Sequence, residues 1–395
     1  MNSFEFYSPT KVIFGKDVES RVGEEVKARG ASKLLVHFGG GSVKKTGLLD
    51  RVEASLKTAG VDYILLGGAQ PNPRLGLVHG GINLCRKEKV DMILAVGGGS
   101  TIDSAKAIAM GVPYDGDVWD FYDGKAKPAA ALPTCNILTL AAAGSETSAN
   151  TVITNEDGWM KRGFGNELLR PAFTLMNPEL LYTLPAYQTA CGVVDIIMHT
   201  FERFFSPGGL NEVTDRIAEA ILRTVMQYGA VCVKEPENYE ARSEVMWAGS
   251  LSHNQLTGLG RVTDWATHQL EHELGGMFDV AHGAGLSAMW GSWARYVYKQ
   301  DMMRFARYGV NVLGLNLNYE NPEETVLAAI AQTEDYFKSI GMPTTIPELM
   351  GRTLTEDEIK ELSAKCTNFG LRTIGGFVKL GEEEILNIFR AANKA

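Results

Sequence analysis

The sequence predicts an α/β domain with a parallel sheet flanked by helices, followed by an all-helical domain. Three observations predict it. From Lys33 to about Pro185, short β-branched runs alternate with helical patterns, and strands alternating with helices imply a parallel sheet covered on both faces. Several of those runs end in glycine clusters, Gly39-Gly40-Gly41 and Gly97-Gly98-Gly99. From about Ala186 the β-branched runs thin out and helical periodicity takes over. Pro178 and Pro185 flank the junction, so the expected domains are residues 1–185 and 186–395. A length of 395 residues agrees with two domains at roughly 100–200 residues each.

The elements follow in order. Lys33-Leu34-Leu35-Val36-His37-Phe38 reads as a buried strand ending at Gly39. Leu48, Leu49, Val52 and Leu56 then share one helical face, and Gly60 stops that helix. Val61 to Leu66 reads as the next strand, Leu75 to Glu88 as a helix, Asp91 to Val96 as a third strand and Ser100 to Met110 as a helix. In the second half, helical periodicity covers Val213 to Tyr228, Tyr239 to Ser252, Leu327 to Ile340 and Thr355 to Ser363. No internal repeat or flexible linker interrupts the pattern.

Composition narrows the function classes. Hydrophobic residues make up 45% and charged residues 22%, ordinary for a soluble globular protein. A formal charge of −9, from 38 basic and 47 acidic residues, argues against a nucleic-acid binder, which needs a basic face to displace counterions. No apolar run approaches the roughly 20 residues that span a bilayer, and the first residues lack the order of a secretion signal. Five scattered cysteines, none in a Cys-x-x-Cys pair, fit a reducing compartment and an inert, buried role. The expectation is a cytoplasmic protein with neither a nucleic-acid nor a membrane partner.

Gly97-Gly98-Gly99-Ser100-x-x-Asp103 lies between an apolar strand and a helix. Glycines let backbone N–H groups approach a phosphate, and the helix N-terminus adds unpaired donors and partial positive charge. Ser100 is placed to cap that helix. A capping turn without ligand has the same pattern, but the carboxyl end of a parallel strand is where ligands of open α/β sheets sit. The pattern is not Gly-x-Gly-x-x-Gly, so ordinary Rossmann topology does not follow. At the other glycine cluster no acidic residue precedes Asp50; Ser42, Lys44 and Lys45 follow the glycines instead. A carboxylate would repel a ribose 2′-phosphate, whereas serine and lysine bind it, which favours NADP(H) over NAD(H). Thr139 to Glu146 is a third loop of small residues after an apolar run.

The histidines carry a second signal. Three of the seven fall within the fifteen positions from 268 to 282. Asp195 and His199, spaced i, i+4 in an apolar helical segment, share a face. A buried ionised Asp is costly unless paired or bound to a cation, and a carboxylate with imidazoles suits a divalent first-row metal. His268 and His272 are also i, i+4, which nominates them as joint ligands, and His282 follows shortly after. No His-Glu-x-x-His signature of zinc hydrolysis is present.

Taken in order, these motifs resemble the iron-containing (group III) alcohol dehydrogenase family, nearest its butanol dehydrogenase and aldehyde reductase branch. The likeness runs from Phe6-x-x-Pro9-Thr10-Lys11-x-x-Phe14-Gly15 through Gly39-Gly40-Gly41-Ser42-Val43-Lys44-Lys45, Gly97-Gly98-Gly99-Ser100-x-x-Asp103 and Gly144-Ser145-Glu146. It continues with Asn177-Pro178-Glu179, Asp195-x-x-x-His199, His268-x-x-x-His272 and His282-Gly283-x-Gly285. The resemblance implies a dehydroquinate synthase-like architecture with the site in the cleft between the two domains. It also implies one divalent ion, Fe²⁺ or Zn²⁺, held by Asp195, His199, His268 and His282. His272 then lies beside the ion without ligating it and becomes the candidate proton relay. Cofactor contacts carry over to Gly97, Gly98, Gly99, Ser100, Asp103, Thr139 and Lys161, the last in a loop. Gly39, Gly40, Gly41 and Ser42 would face the adenosine ribose. The family commonly dimerises, so a homodimer is expected. Ala141-Ala142-Ala143 departs from the proline or threonine of relatives, at the expense of one hydroxyl.

The activity implied is hydride transfer between NAD(P)H and a small aldehyde or primary alcohol. Phe164, Trp265, Met277 and Phe278 are candidate walls of an apolar substrate pocket. A polyol or lactaldehyde dehydrogenase of the same fold would have a more polar pocket. A lyase resembling dehydroquinate synthase would need more basic groups than Lys161, Arg162 and Arg261, and a regulatory nucleotide binder would not need the Asp and histidines together.

Overall fold

The computed structural model describes residues 1–394. The chain forms two compact units, Tyr7–Thr183 and the residues from Leu184 onward together with Met1–Phe6. The first six residues thus belong with the helical unit rather than with the N-terminal domain expected from the sequence. The Asn2 N–H donates to the Gly260 carbonyl at 3.0 Å.

The first unit contains eight strands: β1 (Lys11–Phe14), β2 (Lys33–Gly39), β3 (Asp62–Ala69), β4 (Met92–Gly97), β5 (Thr134–Leu138), β6 (Asn150–Asn155), β7 (Met160–Gly165) and β8 (Phe173–Met176). Its helices are α1 (Val22–Lys27), α2 (Ser42–Lys45), α3 (Leu48–Ala59), α4 (Leu75–Glu88), α5 (Gly99–Gly111) and α6 (Trp119–Tyr122). Six strands make one sheet in the order β1-β8-β5-β4-β2-β3, and every pair in it is parallel. The period of two sorts its side chains by face. Leu34, Val36, Phe38, Met92, Leu94, Val96, Cys135, Ile137, Phe173 and Leu175 join Val26 of α1 and Val52 and Leu56 of α3 in one buried core.

The chain runs from β2 outward to β3 and then returns to place β4 on the other side of β2. This reversal is the topological switch point of an open α/β sheet, where a crevice forms at the carboxyl ends of the strands. The two glycine turns, after β2 and after β4, flank it. The sequence did not disclose β6 and β7, an antiparallel pair from Asn150↔Gly165 to Asn155↔Met160.

The second unit is helical: α7 (Ala186–Phe204), α8 (Glu212–Lys234), α9 (Tyr239–His253), α10 (Ala266–Phe278), α11 (His282–Val297), α12 (Met302–Asn311), α13 (Pro322–Ser339), α14 (Ile346–Met350), α15 (Glu356–Cys366) and α16 (Glu382–Ala392). From Thr189 to Phe204, α7 is buried all round, as a helix inside a bundle must be. It packs against α8, α9 and α11. The α11 contact depends on a glycine: a Cβ at Gly283 would stand 2.1 Å from the Cys191 carbonyl oxygen on α7. Among the described residues no helix is long and apolar enough to cross a membrane, and all five cysteines are buried.

Candidate metal centre and dinucleotide-binding edge

Asp195 and His199 lie one turn apart on α7, His268 lies in the first turn of α10, and His282 opens α11. These three helices bring the donor atoms onto one carboxylate oxygen. Asp195 Oδ1 lies 3.4 Å from His199 Nδ1, 3.6 Å from His268 Nε2 and 3.5 Å from His282 Nε2. Asp195, His268 and His282 each offer a ligand atom within 4.8 Å of the others'. Three of the atoms, Asp195 Oδ1, His199 Nδ1 and His268 Nε2, are buried and have no hydrogen-bond partner. Buried polar atoms are rarely left unsatisfied; converging acceptors that bond to nothing are what a cation site requires. The side chains of Asp195, His199 and His268 are about as buried as the core, at 5%, 6% and 4% exposure, whereas that of His282 is 28% exposed. The cluster is therefore closed on three sides and open on the fourth.

Hydrogen bonds behind the rings orient them. Glu202, seven residues after Asp195 on α7, accepts from the His268 backbone N–H at 2.9 Å and lies 2.8 Å from its Nδ1. Glu271 of α10 bonds His282 Nδ1. Burial pulls the His268 imidazolium down, but the Asp195 and Glu202 carboxylates outweigh it and hold it up at about 9. The local field thus favours positive charge at this spot. His199 is pushed well below the usual histidine range by burial and then by His253, His268 and Arg203.

His253, at the end of α9, is a neighbour the sequence reading passed over: its ring lies 4.1 Å from that of His199. Trp265 precedes α10 with a left-handed φ of 67°. Its indole packs edge-on against His268 at 5.2 Å and under the Arg203 guanidinium at 4.6 Å. His272 sits one turn beyond His268, with ring centroids 6.5 Å from His268 and 5.9 Å from His282. The remaining histidines are elsewhere. His37 is buried on β2, where burial pushes it down to about 4, and His79 pairs with Asp117 at 3.0 Å. Of the candidate pocket walls, Phe164 stacks on Phe121 at 5.9 Å, and Phe278 lies under Arg352 at 5.7 Å.

In the first unit, Gly39 to Ser42, Gly97 to Ser100 and Thr139 follow β2, β4 and β5 respectively, so all lie at the carboxyl edge of the sheet. The Thr139 N–H donates to the Gly97 carbonyl at 3.1 Å. A Cβ at Gly98 would come within 2.9 Å of Leu140 Cβ, and one at Gly99 within 3.0 Å of Ala143 Cβ. Small residues in both loops therefore permit their mutual approach. At Gly40 and Gly41 an added Cβ would meet nothing within 4 Å, and Gly41 is extended. Neither packing nor a left-handed backbone demands glycine at either position.

Two sequence expectations need correction. Gly98, not Ser100, is the N-cap of α5, and no side chain caps it. Lys161 is buried on strand β7, not in a loop. Asp103 is engaged within the protein: it accepts from Ser145 Oγ at 2.5 Å and from the Val152 N–H at 2.9 Å. It braces the edge, a role the spacing alone did not suggest.

The comparisons with known proteins agree with this chemistry. Residues 9–178 match the family model described as iron-containing alcohol dehydrogenase, and residues 189–393 match that of the C-terminal part of the Fe-containing alcohol dehydrogenase family. The chain is 41% identical to NADH-dependent butanol dehydrogenase A of Clostridium acetobutylicum, over 99% of each chain. It is 36% identical to the NADPH-dependent aldehyde reductase YqhD of Escherichia coli, over 95% of each. The crystal structure of NADH-dependent butanol dehydrogenase A from Thermotoga maritima superposes with a TM-score of 0.95 at 36% identity, covering 100% of this chain and 99% of that one.

Proposed function

The chain belongs to the iron-containing alcohol dehydrogenase family, and on that premise we propose that it is a metal-dependent oxidoreductase moving a hydride between NAD(P)H and a small aliphatic aldehyde or primary alcohol. The observation that carries the reading is the convergence of Asp195 Oδ1, His199 Nδ1 and His268 Nε2, buried and bonded to nothing, beside His282 Nε2. These four residues would hold the cation. One carboxylate with three imidazoles suits Fe²⁺ or Zn²⁺. Bound there, such an ion supplies Lewis acidity toward a carbonyl or alcohol oxygen.

The chain's own residues do the rest. The uncapped start of α5, with Gly97, Gly98, Gly99 and Ser100, receives the pyrophosphate through backbone N–H groups. Thr139 and the buried Lys161 complete the cofactor contacts, and Asp103 holds the β6 backbone in place. The open turn Gly39-Gly40-Gly41-Ser42 faces the adenosine ribose, and exposed Ser42, Lys44 and Lys45 support NADP(H) over NAD(H). Relatives named for NADH and for NADPH both match, so parallel assays with the two cofactors decide this point. His272, beside the ligand rings, moves the proton that reduction consumes at the substrate oxygen. The domain division near residue 185 assigns the dinucleotide to the first unit and the ion to the second. Five scattered cysteines, none in a Cys-x-x-Cys pair, support a cytoplasmic enzyme. The strand β1, paired on one side only, supports a homodimer, which the solution mass will reveal.

Mixing the protein with NADPH and butanal tests the reading. Loss of the reduced-nicotinamide absorbance with formation of butanol is expected. Absorbance that stays constant with either cofactor would point instead to a lyase or a regulatory nucleotide binder.

A further inference from the structure

We infer that Glu202 and Glu271 are paired positioning residues which fix the tautomer and aim of His268 and His282, and that Gly285 exists to make room for one of them. The inference rests on the proposed cation site and concerns the two carboxylates behind it.

An imidazole presents a lone pair at one ring nitrogen only if the other carries the proton. Which nitrogen carries it is set by the hydrogen bond that the other makes. Behind His268, Glu202 Oε1 accepts from the backbone N–H at 2.9 Å and lies 2.8 Å from Nδ1. A carboxylate accepts, so Nδ1 carries a proton, and Nε2, the nitrogen whose lone pair a cation would take in place of a proton, faces Asp195 with no hydrogen-bond partner. Behind His282, Glu271 bonds Nδ1, and Nε2 again points at Asp195 Oδ1, at 3.5 Å. Glu202 and Glu271 are both fully enclosed, with side chains 1% and 0% exposed. Two carboxylates buried so close to a third, Asp195, are costly unless hydrogen bonds and nearby positive charge compensate them.

The backbone has been fitted around this arrangement. Glu202 continues the face of α7 that carries Asp195 and His199, at i+7 and i+3. The Asp264 N–H donates to the Glu202 carbonyl at 2.7 Å, and Asp264 Oδ2 accepts from the Ala266 N–H at the start of α10. The helix bearing His268 is thereby tied to Glu202 through main chain and side chain alike. On the other side, a Cβ at Gly285 would lie 2.8 Å from Glu271 Cγ and 3.2 Å from its Oε1. In His282-Gly283-x-Gly285, the first glycine therefore seats α11 against α7, and the second clears the space that Glu271 needs to reach His282.

The test uses metal-stripped full-length protein titrated with Zn²⁺ against a chelating dye, with the melting temperature of each stripped variant measured in parallel. E202Q and E271Q keep the shape and an acceptor oxygen but lose the charge. Each is expected to weaken Zn²⁺ binding about 10–100-fold while the stripped protein melts within a few degrees of the parent. G285A, which alters no polar group, is expected to weaken it likewise by displacing Glu271. Parent protein that binds Zn²⁺ with glutamine variants and G285A binding it within twofold would overturn the inference. Parent protein that binds no Zn²⁺ would overturn the cation site itself. Should E202Q melt far below the parent, E271Q and G285A decide the matter by the same criterion.

Discussion

At the residue scale, the proposed chemistry separates groups that would hold an ion from one, His272, that would move a proton. Asp195 Oδ1, His199 Nδ1 and His268 Nε2 are buried without a hydrogen-bond partner, and His282 Nε2 lies 3.5 Å from the same Asp195 oxygen. His272 stands outside that cluster, though spacing alone pairs it with His268 as readily as Asp195 pairs with His199. The structure distinguishes them because α10 turns His268, not His272, toward Asp195. H272N is therefore expected to lower kcat about 100-fold and leave metal content at the parent value. Elemental analysis beside steady-state kinetics checks this, and metal lost along with turnover would make His272 a ligand.

At the scale of elements, the carboxyl edge of the sheet depends on a buried lysine that no sequence pattern singles out. Lys106 of α5 is fully buried, and its Nζ donates to the carbonyls of Ser145, Ser148 and Asn150 at 2.6, 2.9 and 2.9 Å. It pins the loop leading into β6 to the helix that begins at the phosphate turn. K106M would leave those carbonyls without their donor, at about 1–3 kcal/mol each. A fall of about 3 kcal/mol or more in unfolding free energy is expected, with weakened cofactor binding; denaturant titration and fluorescence of bound NADPH measure the two. Far from the site, α15 opens on a capping box between Thr355 and Glu358. The Arg352 guanidinium and the Thr355 N–H hold the Glu358 carboxyl down at about 2. Its folded value lies below its unfolded one, so the stabilisation is complete above about pH 4.5 and disappears as pH falls toward 2. The pair is partly exposed and screened, so E358Q is expected to cost only about 1 kcal/mol at pH 7. Near pH 2 the variant and the parent should unfold alike, which acid-to-neutral thermal melts will show.

At the scale of the whole molecule, what was legible in the sequence was whatever repeats locally. The strands at 33–39 and 92–97 announced themselves because strands buried on both faces need continuous apolar runs. The helix at 75–88 did so because its apolar residues recur at helical spacing. The β6–β7 pair stayed hidden because Asn150 to Gly165 mixes polar residues and glycines, and its pairing rests on tertiary context. The candidate metal ligands were visible as a histidine cluster, but their selection came from family likeness. Glu202 and Glu271 were invisible as functional residues, since each works on a histidine 66 or 11 positions away. The face shared by Asp195, His199 and Glu202 was the one local trace, and the two glycines after His282 were the other. The account stands on the cation between those helices. The most direct measurement is butanal reduction by protein stripped of metal, before and after adding back Fe²⁺ or Zn²⁺. Activity should vanish with the ion and return with about one ion per chain, whereas turnover undiminished in the stripped protein would contradict the account.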